Sequence, residues 1–262
     1  MTTTSDRQPP EIIEFPTSQP EGQALASIDV GNALDSVLTW SIQTLNLGPT
    51  RSSPKYDQHL RDTVGSSYDW SDELRFDHRT GRLASFILKT PETELTDLAV
   101  ATSWLALPRA AGVPVLQDRD HGFHVDPLDL RYLSDDAGAL LVVEGTMLPA
   151  DGNSLRLAIG PDADLLFQHG RYVGWVLLHP ASHLVASPGD VPDRTDDPQI
   201  NNLLREYLSL VVDPNIAKMS DEDQEVKVAL ESLSRRARQI RGPKAGALGH
   251  AIERVLEAFY PG

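Results

Sequence analysis

Residues 74–91 decide the predicted fold, and they read LRFDHRTGRLASFILKTP. A polar stretch in their middle is typical of a turn, and Gly81 can adopt the positive φ that a tight turn requires. Residues 82–89 then form a β-rich run that ends before Pro91. The pattern predicts a β-hairpin. Apolar residues on both faces of its second strand place that strand centrally in a sheet.

A second stretch repeats this pattern at residues 165–180, which read LLFQHGRYVGWVLLHP. The alignment pairs Phe76 with Phe167, Gly81 with Gly170, Arg82 with Arg171, Phe86 with Trp175, Leu88 with Leu177 and Pro91 with Pro180. Two interpretations stay open, because hairpins draw on few turn and strand residues: a true internal duplication, or convergence of two hairpins. A duplication requires Phe86 and Trp175 to lie on equivalent sheet faces.

The order of the remaining segments favours an α+β fold with an antiparallel sheet built around these two hairpins. Further strands are predicted over 130–133, 139–144 and 155–159, and residues 109–117 are expected to be a loop that leads into a short Val-rich segment. Apolar residues at helical spacing predict helices that flank the sheet over 32–45 and 199–212. A short helix is expected near 56–63, and residues 93–107 favour a helix over a strand.

The C-terminal part is predicted to be a helical hairpin. A long helix spans about 220–241, with acidic residues first and arginines last, and a final helix spans 245–260. The predicted organisation is therefore a disordered tail over 1–23, an α+β domain over 24–212 and the helical hairpin over 213–262. The tail is assigned from its Thr, Ser, Pro and Glu content.

Composition narrows the possible functions. The 262 residues carry a formal net charge of −15 and no cysteine, so disulfides, thiolate metal sites and Cys nucleophiles are excluded. The acidity opposes broad contact with nucleic acid or anionic lipid and favours a basic partner. The sequence has no apolar run of about twenty residues and no secretory signal pattern, so we expect a cytoplasmic protein. Preference for Arg over Lys indicates a bacterial source.

One cluster of polar residues has metal-ligating chemistry. His121, His124 and Asp126 lie in the sequence DRDHGFHVD, and imidazole and carboxylate groups bind zinc, manganese or iron. Such a site could activate water for hydrolysis. The spacing opposes this reading, since the two histidines share a face only on a helix, which Gly122 and Pro127 disfavour.

Other candidate sites are weaker. Ser182 lies between His179 and His183 but lacks the strand–turn–helix context of a nucleophile, and no phosphate-binding glycine motif is present. Arg235 and Arg238 could contact DNA. Acidic residues nearby oppose that reading, namely Asp221, Glu222, Asp223, Glu225, Glu231, Glu253 and Glu257. Tyr172 and Trp175 could line a binding surface, although aromatic residues are more often core anchors.

Three functions follow from these observations. The leading hypothesis is a soluble acidic bacterial protein that binds another, possibly basic, protein as an immunity or accessory partner, without a cofactor and without an assembled catalytic motif. The alternative is a metal-dependent hydrolase that uses the cluster over 118–126. The third is a DNA-binding regulator that acts through the C-terminal helices.

Overall fold

The computed structural model describes residues 12–16, 24–49, 56–66, 71–187 and 189–261. The strands are β1 (Ile13–Phe15), β2 (Ala24–Val30), β3 (Leu38–Ser41), β4 (Asn46–Pro49), β5 (Thr63–Gly65), β6 (Glu73–Asp77), β7 (Leu83–Lys89), β8 (Thr93–Glu94), β9 (Arg109–Leu116), β10 (Leu130–Leu133), β11 (Ala139–Val143), β12 (Ser154–Ala158), β13 (Ala163–Gln168), β14 (Arg171–Leu178) and β15 (Leu184–Val185). The helices are α1 (Tyr56–Asp62), α2 (Leu98–Leu105), α3 (Pro198–Leu210), α4 (Asp213–Ser220), α5 (Gln224–Gln239) and α6 (Pro243–Phe259). These elements form two mostly antiparallel sheets with packed helices, which confirms the predicted α+β class.

Both predicted hairpins are present, as β6–β7 and β13–β14. Strand β7 lies between β4 and β6, so its predicted central position is confirmed. The two hairpins have the same register: Leu74 pairs with Phe86 in the first, and Leu165 pairs with Trp175 in the second. Each hairpin also has a register shift immediately before an equivalent aromatic residue, Phe76 in the first and Phe167 in the second.

The equivalence of the hairpins extends to the strands around them. We call β3–β7 the first unit and β10–β14 the second unit. The first unit has the strand order β3-β4-β7-β6-β5, and the second has the order β10-β11-β14-β13-β12, with neighbouring strands antiparallel in both. The strand that follows each unit pairs with the other unit. Strand β8, after the first unit, pairs in parallel with β10, and β15, after the second unit, pairs in parallel with β3.

The helix predicted over 32–45 is wrong. This stretch contains β3, followed by a turn in which Leu45 has a φ of 52°, and the chain then enters β4. Strand β3 is buried on both faces, and Leu38, Thr39 and Trp40 are all enclosed. Its sequence therefore lacks the alternation of apolar and polar residues that marks a strand with one exposed face, and the apolar spacing resembles that of a helix. Pairing of β4 with β7 and of β3 with β15 stabilises the extended conformation.

Part of the predicted disordered tail is also wrong. Residues 13–15 form β1, and the side chains of Ile13 and Phe15 are fully buried. Two apolar residues at a spacing of two fit a buried strand, and residues 1–11 and 17–23 of the predicted tail lie outside the described residues. Strand β1 pairs with β2 and with β14, which closes a circuit of six strands through β9, β12 and β13.

Most of the remaining segments follow the predictions. Helices α1, α2 and α3 lie within or beside the stretches expected to be helical, and α5 with α6 forms the predicted helical hairpin. Side chains of Asp97, Asp197 and Asp223 accept hydrogen bonds from the first backbone N–H groups of α2, α3 and α5, which fixes their starts. The expected loop over 109–117 is instead β9, because its backbone pairs with β2 and β12.

One hydrophobic cluster runs through the molecule. It lies between the sheets and continues into the C-terminal helices, where Leu230, Leu248 and Ile252 are fully enclosed. A smaller cluster joins α2 to the outer face of the second unit and includes the fully buried Trp104. The predicted domain boundary at 212 stays a prediction. In the described part of the chain no helix is long and apolar enough to cross a membrane.

Candidate functional site

The predicted metal residues lie in the loop that follows β9. The Nδ1 atom of His121 is 2.9 Å from Oδ2 of Asp118, and this hydrogen bond raises the pKa of the exposed His121 imidazole. His124 is exposed, whereas the backbone N–H of Asp126 donates to the carbonyl oxygen of Pro16. Among the described residues, no three His, Asp or Glu side chains are grouped closely enough to hold a metal ion. The metal site therefore receives no geometric support.

Tyr172 and Trp175 are core residues. Both side chains are almost completely buried in the cluster between the sheets, so neither can contact a partner in this conformation. Trp175 occupies the position that corresponds to Phe86, which is buried in the same cluster. Their side chains thus lie on equivalent faces of the two hairpins.

Tyr172 belongs to a buried polar pair that the sequence did not reveal. Its hydroxyl donates to Oδ2 of Asp72 at 2.7 Å, and the backbone N–H of Lys89 donates to Oδ1 at 2.8 Å. Burial raises the pKa of Asp72 to about 6, although the hydrogen bonds from Lys89 and Tyr172 oppose the shift. The pair connects the start of the first hairpin with the second. No spacing in the sequence relates residues so far apart.

The second unit has a different buried carboxylate. Asp164 is fully buried and accepts hydrogen bonds from Nε of Arg156 at 2.6 Å and from Nη2 of Arg109 at 2.6 Å. The arginines also donate to the backbone carbonyl oxygens of Leu105 and Pro161. Such a satisfied network fixes the end of α2 against strands β9 and β12, which is a structural role.

Residues around Ser182 do not form a nucleophile and base. The ring of His183 is fully buried, with Nδ1 3.2 Å from the carbonyl oxygen of Leu38 and Nε2 3.4 Å from Oδ2 of Asp162. Burial lowers the pKa of His183. His179 is exposed in a left-handed conformation that precedes the 3₁₀ turn over 180–183. The turn therefore directs His183 into the core rather than toward a substrate.

The arginines proposed for DNA contact lie on α5. Arg238 forms an ion pair with Glu253 of α6 at 2.8 Å, and its neighbour Arg236 forms one with Glu206 of α3. Arg235 is exposed. Arg236 and Arg238 therefore already have acidic partners on neighbouring helices. The geometry offers little support for a basic surface that could bind DNA phosphates.

A cleft of about 340 Å³ lies between α5 and α6, and we call it the acidic groove. Its lining residues are Lys227, Glu231, Leu256, Glu257, Tyr260 and Pro261. Helix packing creates it, since α5 and α6 pack against each other and the half-buried Leu256 is part of its lining. The Tyr260 hydroxyl donates to the carbonyl oxygen of Asp223 at 2.9 Å, which fixes one end of the groove against the start of α5.

Acidic side chains outnumber basic ones around this groove. Asp221, Glu222 and Glu225 are exposed where α4 meets α5. Burial raises the pKa of Tyr260, and the nearby charges of Asp223 and Glu222 raise it further, so these carboxylates lie close to the groove. Lys227 is a basic residue in the lining, and its Nζ lies 5.6 Å from the centroid of the Tyr260 ring.

In the sequence these acidic residues were visible only as charges that oppose DNA binding. Their position beside an apolar cleft depends on how α5 and α6 pack. No protein-family model matches this sequence, and comparison with curated proteins gives no significant match.

Proposed function

We propose that this chain is an acidic protein-binding protein, of immunity or accessory type, that holds a basic segment of a partner protein in the acidic groove. The observation that carries the proposal is the groove itself, which is lined by the apolar Leu256, by the ring of Tyr260 with Lys227 over it, and by the carboxylates of Glu231 and Glu257. An amphipathic segment with basic residues would bury its apolar side chains there and place its charges beside carboxylates.

The composition supports the same partner chemistry. A net charge of −15 attracts a basic protein at long range and increases the rate of encounter, an effect that salt weakens. Cytoplasmic location and a bacterial source belong to this proposal as its expected setting. The metal-dependent hydrolase and the DNA-binding regulator have no specific observation in their favour.

Cross-linking from a single introduced cysteine tests the proposal. The chain has no cysteine, so Glu257→Cys creates one thiol in the groove, and Asp120→Cys creates a matched thiol on an exposed loop. Each variant is labelled with a photo-reactive cross-linker and incubated with lysate of the source cells at low and at high salt. We expect one protein to cross-link at Glu257→Cys, to be identified by mass spectrometry, and to be lost at high salt.

A charge-reversal variant then tests whether the carboxylates bind that protein. Glu231→Lys with Glu257→Lys should weaken binding at least tenfold, whereas Asp120→Lys with Asp135→Lys makes the same charge change outside the groove and should weaken it much less. Equal cross-linking from both cysteines, or equal loss in both double variants, would contradict a specific groove.

The correspondence of the two units supports a second proposal, that the chain arose by internal duplication. Strand order, register, the bulge positions and the exchanged strands β8 and β15 all agree between the units. Convergence of hairpin chemistry accounts for two similar turns but not for five strands in one order.

A further inference from the structure

The 3₁₀ turn over 180–183 buries a histidine that has one nitrogen without a hydrogen bond. The His183 ring is fully enclosed where this turn leads into β15, which pairs with β3. Its Nδ1 atom is 3.2 Å from the carbonyl oxygen of Leu38. Because a carbonyl oxygen only accepts hydrogen bonds, Nδ1 carries the hydrogen of the neutral ring. Nε2 then has a lone pair, and it makes no hydrogen bond with the residues that the structure describes.

A carboxylate faces this lone pair. The Oδ2 atom of Asp162, in the turn between β12 and β13, lies 3.4 Å from Nε2 of His183. Two acceptors cannot form a hydrogen bond with each other, whereas a proton on Nε2 would make this nitrogen a charged donor to the carboxylate. The ring can therefore take up a proton at Nε2 although it is buried.

A second cation already binds the same oxygen atom. Nη1 of Arg194, in the loop before α3, is 3.1 Å from Oδ2 of Asp162. Burial lowers the pKa of His183 and the charge of Arg194 lowers it further, while the carbonyl oxygens of Leu38 and Leu178 and the charge of Asp162 oppose the shift. Coupling between two sites is reciprocal, so a proton on His183 weakens the contact of Arg194 with Asp162 to the same extent.

The other ionisable groups on the elements around this turn have different contacts. The turn packs against α3, whose charged residues Arg205 and Glu206 bind the β10–β11 turn and α5. Strand β15 packs against α6, where Lys244 donates to the loop that carries Arg194. His179, at the start of the turn, is exposed. The competition for one carboxylate therefore involves a buried imidazole and an exposed guanidinium.

We propose that His183 is a proton sensor that controls the loop over 189–197. At neutral pH Asp162 binds Arg194, and the loop is held beside the β12–β13 turn. Below about pH 6.5 a proton on Nε2 transfers the carboxylate to His183 and releases Arg194. Because Arg194 disfavours the proton, the state with the released loop binds it more tightly, and a falling pH favours that state. This device is separate from the acidic groove, and neither proposal depends on the other.

Spin labelling in the complete protein measures release of the loop. Val191 is exposed in this loop and the chain has no cysteine, so Val191→Cys attaches a single label there. Electron paramagnetic resonance follows the mobility of the label from about pH 8 to about pH 5, and NMR of the histidine rings follows the titration of His183. We expect the mobility to rise as the pH falls, with the same midpoint as the His183 titration.

Two variants of the labelled protein separate this mechanism from other effects of acid. His183→Gln has no ionisable ring, identifies the His183 signal by its loss and should make the mobility independent of pH. Arg194→Gln removes the competing cation, so the label should be mobile at every pH and His183 should titrate at a higher pH. Arg205→Gln is the matched control, because it removes an arginine of α3 and should change neither property.

Several results would overturn the proposal. Mobility that does not depend on pH in the labelled protein is one, and a rise with acid that persists in His183→Gln is another. An unchanged His183 titration in Arg194→Gln would show that the two groups do not compete, and this comparison decides even if His183→Gln fails to fold. Circular dichroism at each pH detects unfolding, and loss of structure together with the rise in mobility would assign the change to acid denaturation instead.

Discussion

The two hairpins have the same inner face and different outer faces. The corresponding inner residues are all buried between the sheets, namely Leu74 with Leu165, Phe76 with Phe167, and Phe86 with Trp175. On the outer face the first hairpin has Arg75 and Ala84 where the second has Leu166 and Val173. The difference shows that the shared core constrains one face, whereas the element that covers each sheet decides the other.

The covering elements explain the outer residues. Helix α2 packs its Val100 and Trp104 against Leu166 and Val173, which form one apolar cluster. In the first unit, Arg75 donates instead to the carbonyl oxygens of Leu60 and Thr63, at the end of α1. Arg75 is tolerated there because its guanidinium donates to these carbonyl oxygens, which would otherwise need water as a partner.

The largest effect should come from the shared inner face. Phe86→Ala and Trp175→Ala each remove a fully buried ring from the same cluster, and we expect each to lower the free energy of unfolding by about 4 kcal/mol. Urea denaturation measures both. Leu98→Ala, at an exposed apolar residue of α2, is the control and should change stability by less than about 0.5 kcal/mol. A cost near zero at either aromatic residue would end the equivalence of the inner faces.

A smaller effect should distinguish the starts of the two hairpins. The first has the buried Asp72 where the second has Ala163, and the pKa of Asp72 is raised from 3.8 to about 6. The folded protein therefore binds this proton more tightly than the unfolded chain. Its contribution to stability is complete below about pH 3.8 and is lost as the pH rises through about 6, a change of about 3 kcal/mol.

Asp72→Asn removes this titration, and its amide oxygen can accept one of the two hydrogen bonds that Asp72 accepts from Tyr172 and from the backbone N–H of Lys89. Relative to the variant, the original protein should lose about 2.4 kcal/mol of unfolding free energy between pH 4 and pH 7. Urea denaturation at several pH values gives the difference, and Asp120→Asn serves as an exposed control. If both proteins follow the same pH profile, Asp72 does not titrate in this window and the distinction between the hairpins at this position is lost.

The smallest effect should come from exchanging residues on the outer faces. Val173→Ala removes two methyl groups beneath α2 and should cost about 2 kcal/mol, while Ala84→Val adds them at an exposed strand position and should change stability by less than about 0.5 kcal/mol. Thermal and urea unfolding of both variants measure this asymmetry. Similar costs would indicate that the outer face of the first unit is covered in solution.

Local chemistry made much of the fold predictable. Gly81 and Gly170 both have a positive φ, as their turns require, and the β-rich runs after them form the expected strands. Helices α3, α5 and α6 were predictable because their apolar residues repeat at helical spacing and their ends carry Asp or Pro. The strand pair β3–β4 was not, since burial on both faces removes the alternation that marks a strand.

The candidate sites, unlike much of the fold, could not be predicted from local sequence patterns. The cluster of His121, His124 and Asp126 was conspicuous in the sequence and has no geometric support, whereas the acidic groove and the core position of β1 were inconspicuous. A groove depends on which helix faces meet, and the position of β1 depends on which strand edges lie side by side. Neither property is encoded in the spacing of neighbouring residues.

The sequence by itself determined the hairpin at residues 74–91, the similar hairpin at residues 165–180, the helical hairpin and the acidity of the chain, because turn chemistry, periodicity and charge are local properties. Only the tertiary structure decided that β1 lies in the core, that the units exchange β8 and β15, and that Asp72 meets Tyr172. These arrangements join residues that are far apart in the chain, and they are selected by burial of apolar surface and by pairing of backbone groups over the whole molecule.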